Sequence, residues 1–193
     1  LNINELPIVV PFESAKWKVT VDGTLDDGGD ETYRLNYIVS NAQNHVLVKG
    51  LHDQFLEPGD FSVTLNLPAA QPEWMPGHKY TLWLWVNSGA LGTEPQKVEL
   101  VVEPPAPTNL YAEAGDERVK LTWGSIDVEG IVTYDVYQYV GANPTPTDPN
   151  QTLEGWAAIA SGIEHSTFTV SGLKNGEIYT FAVRAVVNGI TGP

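Results

Sequence analysis

Short stretches in which apolar and polar residues alternate run through the whole chain, and no other feature limits its fold so tightly. In the first half they are Trp17-Lys-Val-Thr-Val21, Tyr33-Arg-Leu-Asn-Tyr37, Phe61-Ser-Val-Thr-Leu65 and Val98-Glu-Leu. Alternation at period two sends successive side chains to opposite faces of a strand, so each stretch belongs to a sheet with one buried face. The breaks hold Asp27-Gly-Gly-Asp30, Pro58-Gly59 and Pro76-Gly77, residue types that favour turns. The second half repeats the pattern in Val119-Lys-Leu-Thr-Trp123, Tyr134-Asp-Val136, Phe168-Thr-Val170 and Tyr179-Thr-Phe-Ala-Val-Arg-Ala185. Neither half carries a convincing helical period. Many short strands punctuated by turns predict an all-β chain built of sandwiches.

A length of 193 residues suits two small domains. Glu103-Pro-Pro-Ala-Pro-Thr108 is the dense proline cluster between the two patterned stretches. Proline fixes φ and favours extended backbone, so the cluster reads as a short, semi-rigid linker. It predicts tandem domains over 1–103 and 104–193.

Composition removes several functions. Cysteine is absent, which excludes disulfides, thiolate catalysis and cysteine-based zinc sites while leaving the redox compartment open. Twenty-four acidic residues against 10 basic ones give a net charge of −14. Both halves share the excess, which repels phosphate backbones and anionic lipid, so no nucleic-acid partner is expected. No apolar run reaches the roughly 18 residues of a membrane span, and no membrane insertion is expected. The first residue is Leu1 and not Met, as expected of a processed chain or a piece of a longer one.

The second half resembles a fibronectin type III domain of the kind found in bacterial secreted or surface proteins. The resemblance rests on Pro107-Thr-Asn-Leu-Tyr-Ala112, Val119-Lys-Leu-Thr-Trp123, Tyr134-Asp-Val-Tyr137, Trp156-Ala-Ala-Ile-Ala160, Ser166-Thr-Phe-Thr-Val-Ser-Gly-Leu173 and Gly176-Glu-Ile-Tyr-Thr-Phe-Ala-Val-Arg-Ala185. Within it, Trp123 is a large core filler, and Leu173, Gly176 and Tyr179 have the spacing of a tyrosine corner. In the first half Trp74-Met-Pro-Gly-His-Lys-Tyr80 has the same spacing as Leu173-Lys-Asn-Gly-Glu-Ile-Tyr179. That half therefore looks like a diverged sandwich of immunoglobulin-like or type III kind.

A type III domain needs a last strand after the loop at Asn188-Gly-Ile-Thr-Gly-Pro193, and on the sequence pattern that strand is missing. Either the sequence is a fragment, or a short strand forms within the last few residues, or another chain donates a strand. Leu1-Asn-Ile-Asn-Glu-Leu-Pro-Ile-Val-Val10 is apolar enough to be a donor, and equally suits the first domain's own opening strand.

Catalysis finds little support. His45, His52, His78 and His165 show no metal-ligand spacing, and Ser14, Ser40 and Ser161 lack a Gly-x-Ser-x-Gly elbow. Asp22-Gly-Thr-Leu-Asp-Asp-Gly-Gly-Asp-Glu31 gathers Asp22, Asp26, Asp27, Asp30 and Glu31 in what reads as a turn. Oxygen ligands on a flexible loop suit calcium, but the spacing is not that of an EF-hand, and a solvated charged turn is the favoured reading; no cofactor is expected. Trp83 and Trp85 stand out. If Tyr80, Leu82, Leu84 and Val86 point inward, these two indoles point outward together and make a flat platform. Such a platform suits stacking on a sugar ring or burial against another protein. Its expected neighbours on the flanking strands are Arg34 and Lys97, whose cations could cover the indoles instead. Tyr137 and Tyr139 beside Arg184 form a smaller patch, read as cross-strand packing. Asn150-Gln-Thr152 is a formal glycosylation sequon, too common a motif to decide anything.

The resemblance implies a non-catalytic, extracellular or cell-surface module, a spacer and adhesive segment that binds other protein domains or subunits of one surface assembly. Two alternatives stay open: a filament or pilus subunit joined by strand donation, and a carbohydrate-binding accessory of a polysaccharide-active enzyme, with glycan as the partner.

Overall fold

In a computed structural model the chain forms two compact units, Leu1–Val102 and Glu103–Pro193. The structure describes residues 1–4, 7–11, 16–26, 32–68, 74–88, 91–142 and 155–193. All regular elements among these are strands, and none is a helix that could cross a membrane.

The first unit contains β1 (Asn2–Ile3), β2 (Ile8–Pro11), β3 (Lys16–Leu25), β4 (Tyr33–Ser40), β5 (Val46–Leu56), β6 (Gly59–Pro68), β7 (His78–Ser88), β8 (Leu91–Gly92) and β9 (Gln96–Glu103). One sheet has the order β1-β3-β6, and the other β2-β9-β7-β4-β5, with β8 folded back on β7. The period-two pattern is realised strand by strand. Trp17, Val19 and Val21 of β3, Val63, Leu65 and Leu67 of β6, and Tyr80, Leu82, Leu84 and Val86 of β7 all enter one core. At about 1.5–3 kcal/mol for each fully buried aliphatic or aromatic side chain, this shared interior holds the two sheets together. The opening segment is used locally: β1 pairs with β3, and β2 lies beside β9.

The second unit contains β10 (Tyr111–Gly115), β11 (Arg118–Thr122), β12 (Val132–Val140), β13 (Ala157–Ile163), β14 (Thr167–Ser171), β15 (Tyr179–Val187) and β16 (Ile190–Thr191). Its sheets have the orders β10-β11-β14 and β13-β12-β15-β16. Three strands against four, in this order, is the fibronectin type III arrangement that the resemblance implies. Leu121, Trp123, Tyr134, Val136, Val170, Leu173 and Ala185 form its core, with Trp123 edge-on to Tyr134 at 5.4 Å.

The strand that the sequence pattern leaves out is present. Asn188 and Gly189 have φ of 51° and 81°, the left-handed pair of a tight two-residue hairpin. The turn brings Ile190 opposite Val187 and Thr191 opposite Val186 as β16, and the Gly192 amide donates to Ala185 at 2.8 Å. Two residues are too short to show an alternating pattern, which is why periodicity misses this strand.

Both units fix the approach to a long central strand, β7 or β15, in the same way. The Met75 amide donates to the Tyr80 hydroxyl at 2.9 Å, and the Lys174 amide donates to the Tyr179 hydroxyl at 3.1 Å. Gly77 and Gly176, each three residues before its tyrosine, have φ of 68° and 86°, where any other residue would be strained. The corner sets the register of β7 and β15, and so decides which side chains leave the core.

Candidate functional site

After Tyr80, the odd and even positions of β7 separate cleanly. Leu82, Leu84 and Val86 are inaccessible to solvent, whereas Trp83 and Trp85 lie half-buried on the outer face. Two residues along one strand face, the indoles stand roughly 7 Å apart. Ile38 of β4 is opposite Trp83, and Asn36 is opposite Trp85. The Trp83 indole N–H donates to the Ser40 hydroxyl at 3.0 Å. Ser40 is only 2% exposed, the one buried polar side chain among the described residues. That bond satisfies the indole and fixes its ring before any ligand arrives.

Ile38, Ser40, Asn44, Val46, Trp83, Trp85 and Pro95 line a hollow of about 480 Å³ on this face. Asn44, with φ of 60°, closes one end at the β4–β5 turn, where the Asn41 amide bonds the His45 carbonyl at 3.1 Å. On edge strand β5, Val46, Leu51 and Phe55 are 46%, 50% and 53% exposed; Val46 lines the hollow, and Lys49 stands between it and Leu51 on the same face. An apolar hollow of this kind on a sheet's outer face marks a place where something else packs.

Lys97 lies directly opposite Trp83 on β9, on the expected face. Arg34 does not cover the indoles. It pairs across to Asn87 and Phe55, one row beyond Trp85, and its guanidinium sits 4.6 Å from the centre of the Phe55 ring. The register decides this, because Asn36 and not Arg34 is level with Trp85. Its side-chain amide donates to Asn87 at 2.6 Å.

The acidic segment divides. Asp22 is not in a turn but within β3, paired with Ser62, and Asp26 follows the end of that strand. Four residues of extended chain separate the two by roughly 13 Å, too far to share one ion. Asp27, Asp30 and Glu31 lie outside the described residues, as does the Asn150 sequon. Among the described residues no three His, Asp or Glu side chains gather as metal ligands. His52 and His78 bond nearby backbone through Nδ1, at Gln54 and Pro76. In the second unit Arg184 lies 5.7 Å from the Tyr137 ring centre, and Tyr139 packs at 5.8 Å against Trp156.

Sequence reasoning found the two indoles from strand parity but not Ile38, Ser40, Val46 or Pro95. The parity of β4 marks Ile38 and Ser40 as outward, but only cross-strand register brings them level with Trp83. A second hollow, of about 450 Å³, lies along β5 and β6, with Tyr37, His52, Asp53, Ser62, Thr64 and Asn66 in its lining. Burial first, and then the Asp53 charge, raise the Tyr37 phenol above its ordinary range.

No protein-family model and no curated protein matches the chain. Solved structures similar to it include a two fibronectin type III domain segment from chicken tenascin, at a TM-score of 0.42 and 14% identity, covering 93% of this chain and 91% of that one. A segment of titin domains follows at 0.38 and 15%, and the FN1-FN3 domains of chicken CNTN1 at 0.37 and 11%. The chain spans 58% and 62% of the latter two.

Proposed function

We propose that this chain is a non-catalytic structural and protein-interaction module, and that it engages a partner protein through the outer face of the β5-β4-β7-β9 sheet. The observation that carries the reading is the hollow at Trp83 and Trp85. It is apolar, fixed from below by the Trp83–Ser40 bond, and lined on the β5 side by exposed Val46. A protein side chain inserted there gains by burial, whereas a sugar ring also needs polar groups around its hydroxyls, and Ser40 is already engaged by Trp83. An extracellular or cell-surface setting, with the chain as a spacer and adhesive segment, fits two small sandwiches in tandem.

The test is selection of displayed peptides on the whole chain, in parallel with a glycan array. Selected peptides should lose binding to Trp83→Ser/Trp85→Ser while the variant keeps its fold by circular dichroism. Peptides that bind native and variant chains equally would overturn the reading. Glycan binding lost in the variant, with no peptide selected, would replace it by the carbohydrate reading.

A further inference from the structure

The charge around the two indoles runs against the charge of the chain. In a protein of net charge −14, four of the 10 cationic side chains, Arg34, Lys49, Lys79 and Lys97, stand on this one face. The register puts three of them around the hollow. Lys49 of β5, Ile38 of β4, Trp83 of β7 and Lys97 of β9 form one straight row across the sheet. At about 4.8 Å per strand, the ammonium groups bracket the Ile38–Trp83 floor with their Cα atoms about 14 Å apart. Arg34 closes the side beyond Trp85.

Lys79 is held by Glu99 at 3.0 Å, but among the described residues Lys49, Lys97 and Arg34 have no carboxylate within 4.0 Å. With acidic residues more than twice as numerous as basic ones, three cations round an apolar hollow with no ionic partner among the described residues are an arrangement that needs a reason. The pattern is that of an interface with an apolar centre and a charged rim, where the centre supplies affinity and the rim selects by sign.

Resting on the interaction reading above, we infer that the partner is an acidic protein segment: it places one apolar or aromatic side chain in the Trp83–Trp85 hollow and carboxylates against Lys49, Lys97 and Arg34. A second copy of this face is disfavoured, since two copies related by a twofold axis would bring like-charged rims together. Nucleic acid is disfavoured by the acidic remainder of the chain.

The experiment uses the whole chain and three synthetic peptides of equal length, each with a central Phe-Leu pair, flanked by Glu, by Ser or by Lys. Quenching of protein tryptophan fluorescence reads binding. The Glu-flanked peptide should bind about tenfold more tightly than the Ser-flanked one at low salt, as three partly exposed ion pairs allow. The advantage should shrink at roughly 0.5 M salt, where the Debye length falls to a few ångströms. Lys49→Glu/Lys97→Glu, at exposed positions, should keep the fold and turn the preference towards the Lys-flanked peptide. Equal binding of all three peptides, lost in Trp83→Ser/Trp85→Ser, would overturn the acidic preference and leave the interaction face standing. Absence of binding by all three would overturn both. A dimer, seen by sedimentation and lost in the Trp double variant, would make a second copy the occupant and overturn the acidic segment.

Discussion

Strands β7 and β15 leave the same kind of tyrosine corner and present opposite surfaces. Counting from the tyrosine, Trp83 stands where the second unit has Ala182, and Trp85 where it has Arg184. On β12 the residue opposite Ala182 is Tyr137, and Arg184 covers its ring. That face is closed by its own residues. On the first unit Ile38 replaces the tyrosine, no cation among the described residues stacks on the indoles, and a hollow remains. The corners themselves differ as well. Tyr80 is 5% exposed and lies 4.7 Å from Trp74, which packs on Trp17 at 4.5 Å. Tyr179 is half-exposed, with its hydroxyl 3.0 Å from Glu177. One local device thus serves as part of the core in one unit and as a surface latch in the other, and the outward residues that follow decide which unit keeps an open hollow on its face.

Substitution at the first corner position should show the largest contrast. Trp74→Ala should cost about 3–5 kcal/mol and Leu173→Ala about 2–3 kcal/mol, because the tryptophan leaves the larger cavity. Denaturant unfolding, read by hydrogen exchange in each unit, checks both, and equal losses would erase the distinction between core and latch. Next, Tyr80→Phe should cost about 1–3 kcal/mol, since it leaves the part-buried Met75 amide without its hydroxyl partner. At Tyr179→Phe water can take over the Lys174 amide, and the loss should be about 0.5–1 kcal/mol.

Copying the second unit's outward residues onto the first is more direct. Trp83→Ala/Trp85→Arg should remove peptide binding while costing only about 1–2 kcal/mol, because both indoles are half in water. A loss as large as that of Trp74→Ala would show the pair to be structural.

The smallest effect belongs to Glu103. Burial raises its carboxyl above the ordinary range, and the nearby Arg184 charge offsets only part of this. A folded-state pKa above the unfolded one favours the protonated form, so that stabilisation is full at acid pH and is lost as pH rises through the folded value. Glu103→Gln should therefore match the native chain below about pH 4 and exceed it by a few tenths of a kcal/mol at neutral pH. A thermal-melt series against pH reads this, and a variant less stable at pH 7 would mean that the Arg184 attraction outweighs burial.

Much of the architecture is legible in the sequence because period-two alternation is a local property. Trp17 to Val21, Phe61 to Leu65 and Tyr80 to Val86 each announce which side chains are inside, and a positive-φ glycine three residues before Tyr80 and Tyr179 announces the corners. The hairpin into β16 was also written there, as Asn188-Gly189, but in turn chemistry and not in periodicity. Arg34 shows where local reading ends. Its parity is correct, yet its partner is Phe55 and not an indole, because a bulge in β5 and the β4–β7 register shift it one row away.

By itself, then, the sequence determined that both halves are strands with one buried face, which residues of each strand are inward, and where the chain turns on itself. Those follow from backbone geometry over a few residues. Only the tertiary structure decided that Lys49, Ile38, Trp83 and Lys97 share a row, that Ser40 holds an indole from below, and that Arg184 closes one face while the other stays open. Such neighbours lie tens of residues apart, and the register that aligns them is set by strand pairing and core packing over the whole sandwich.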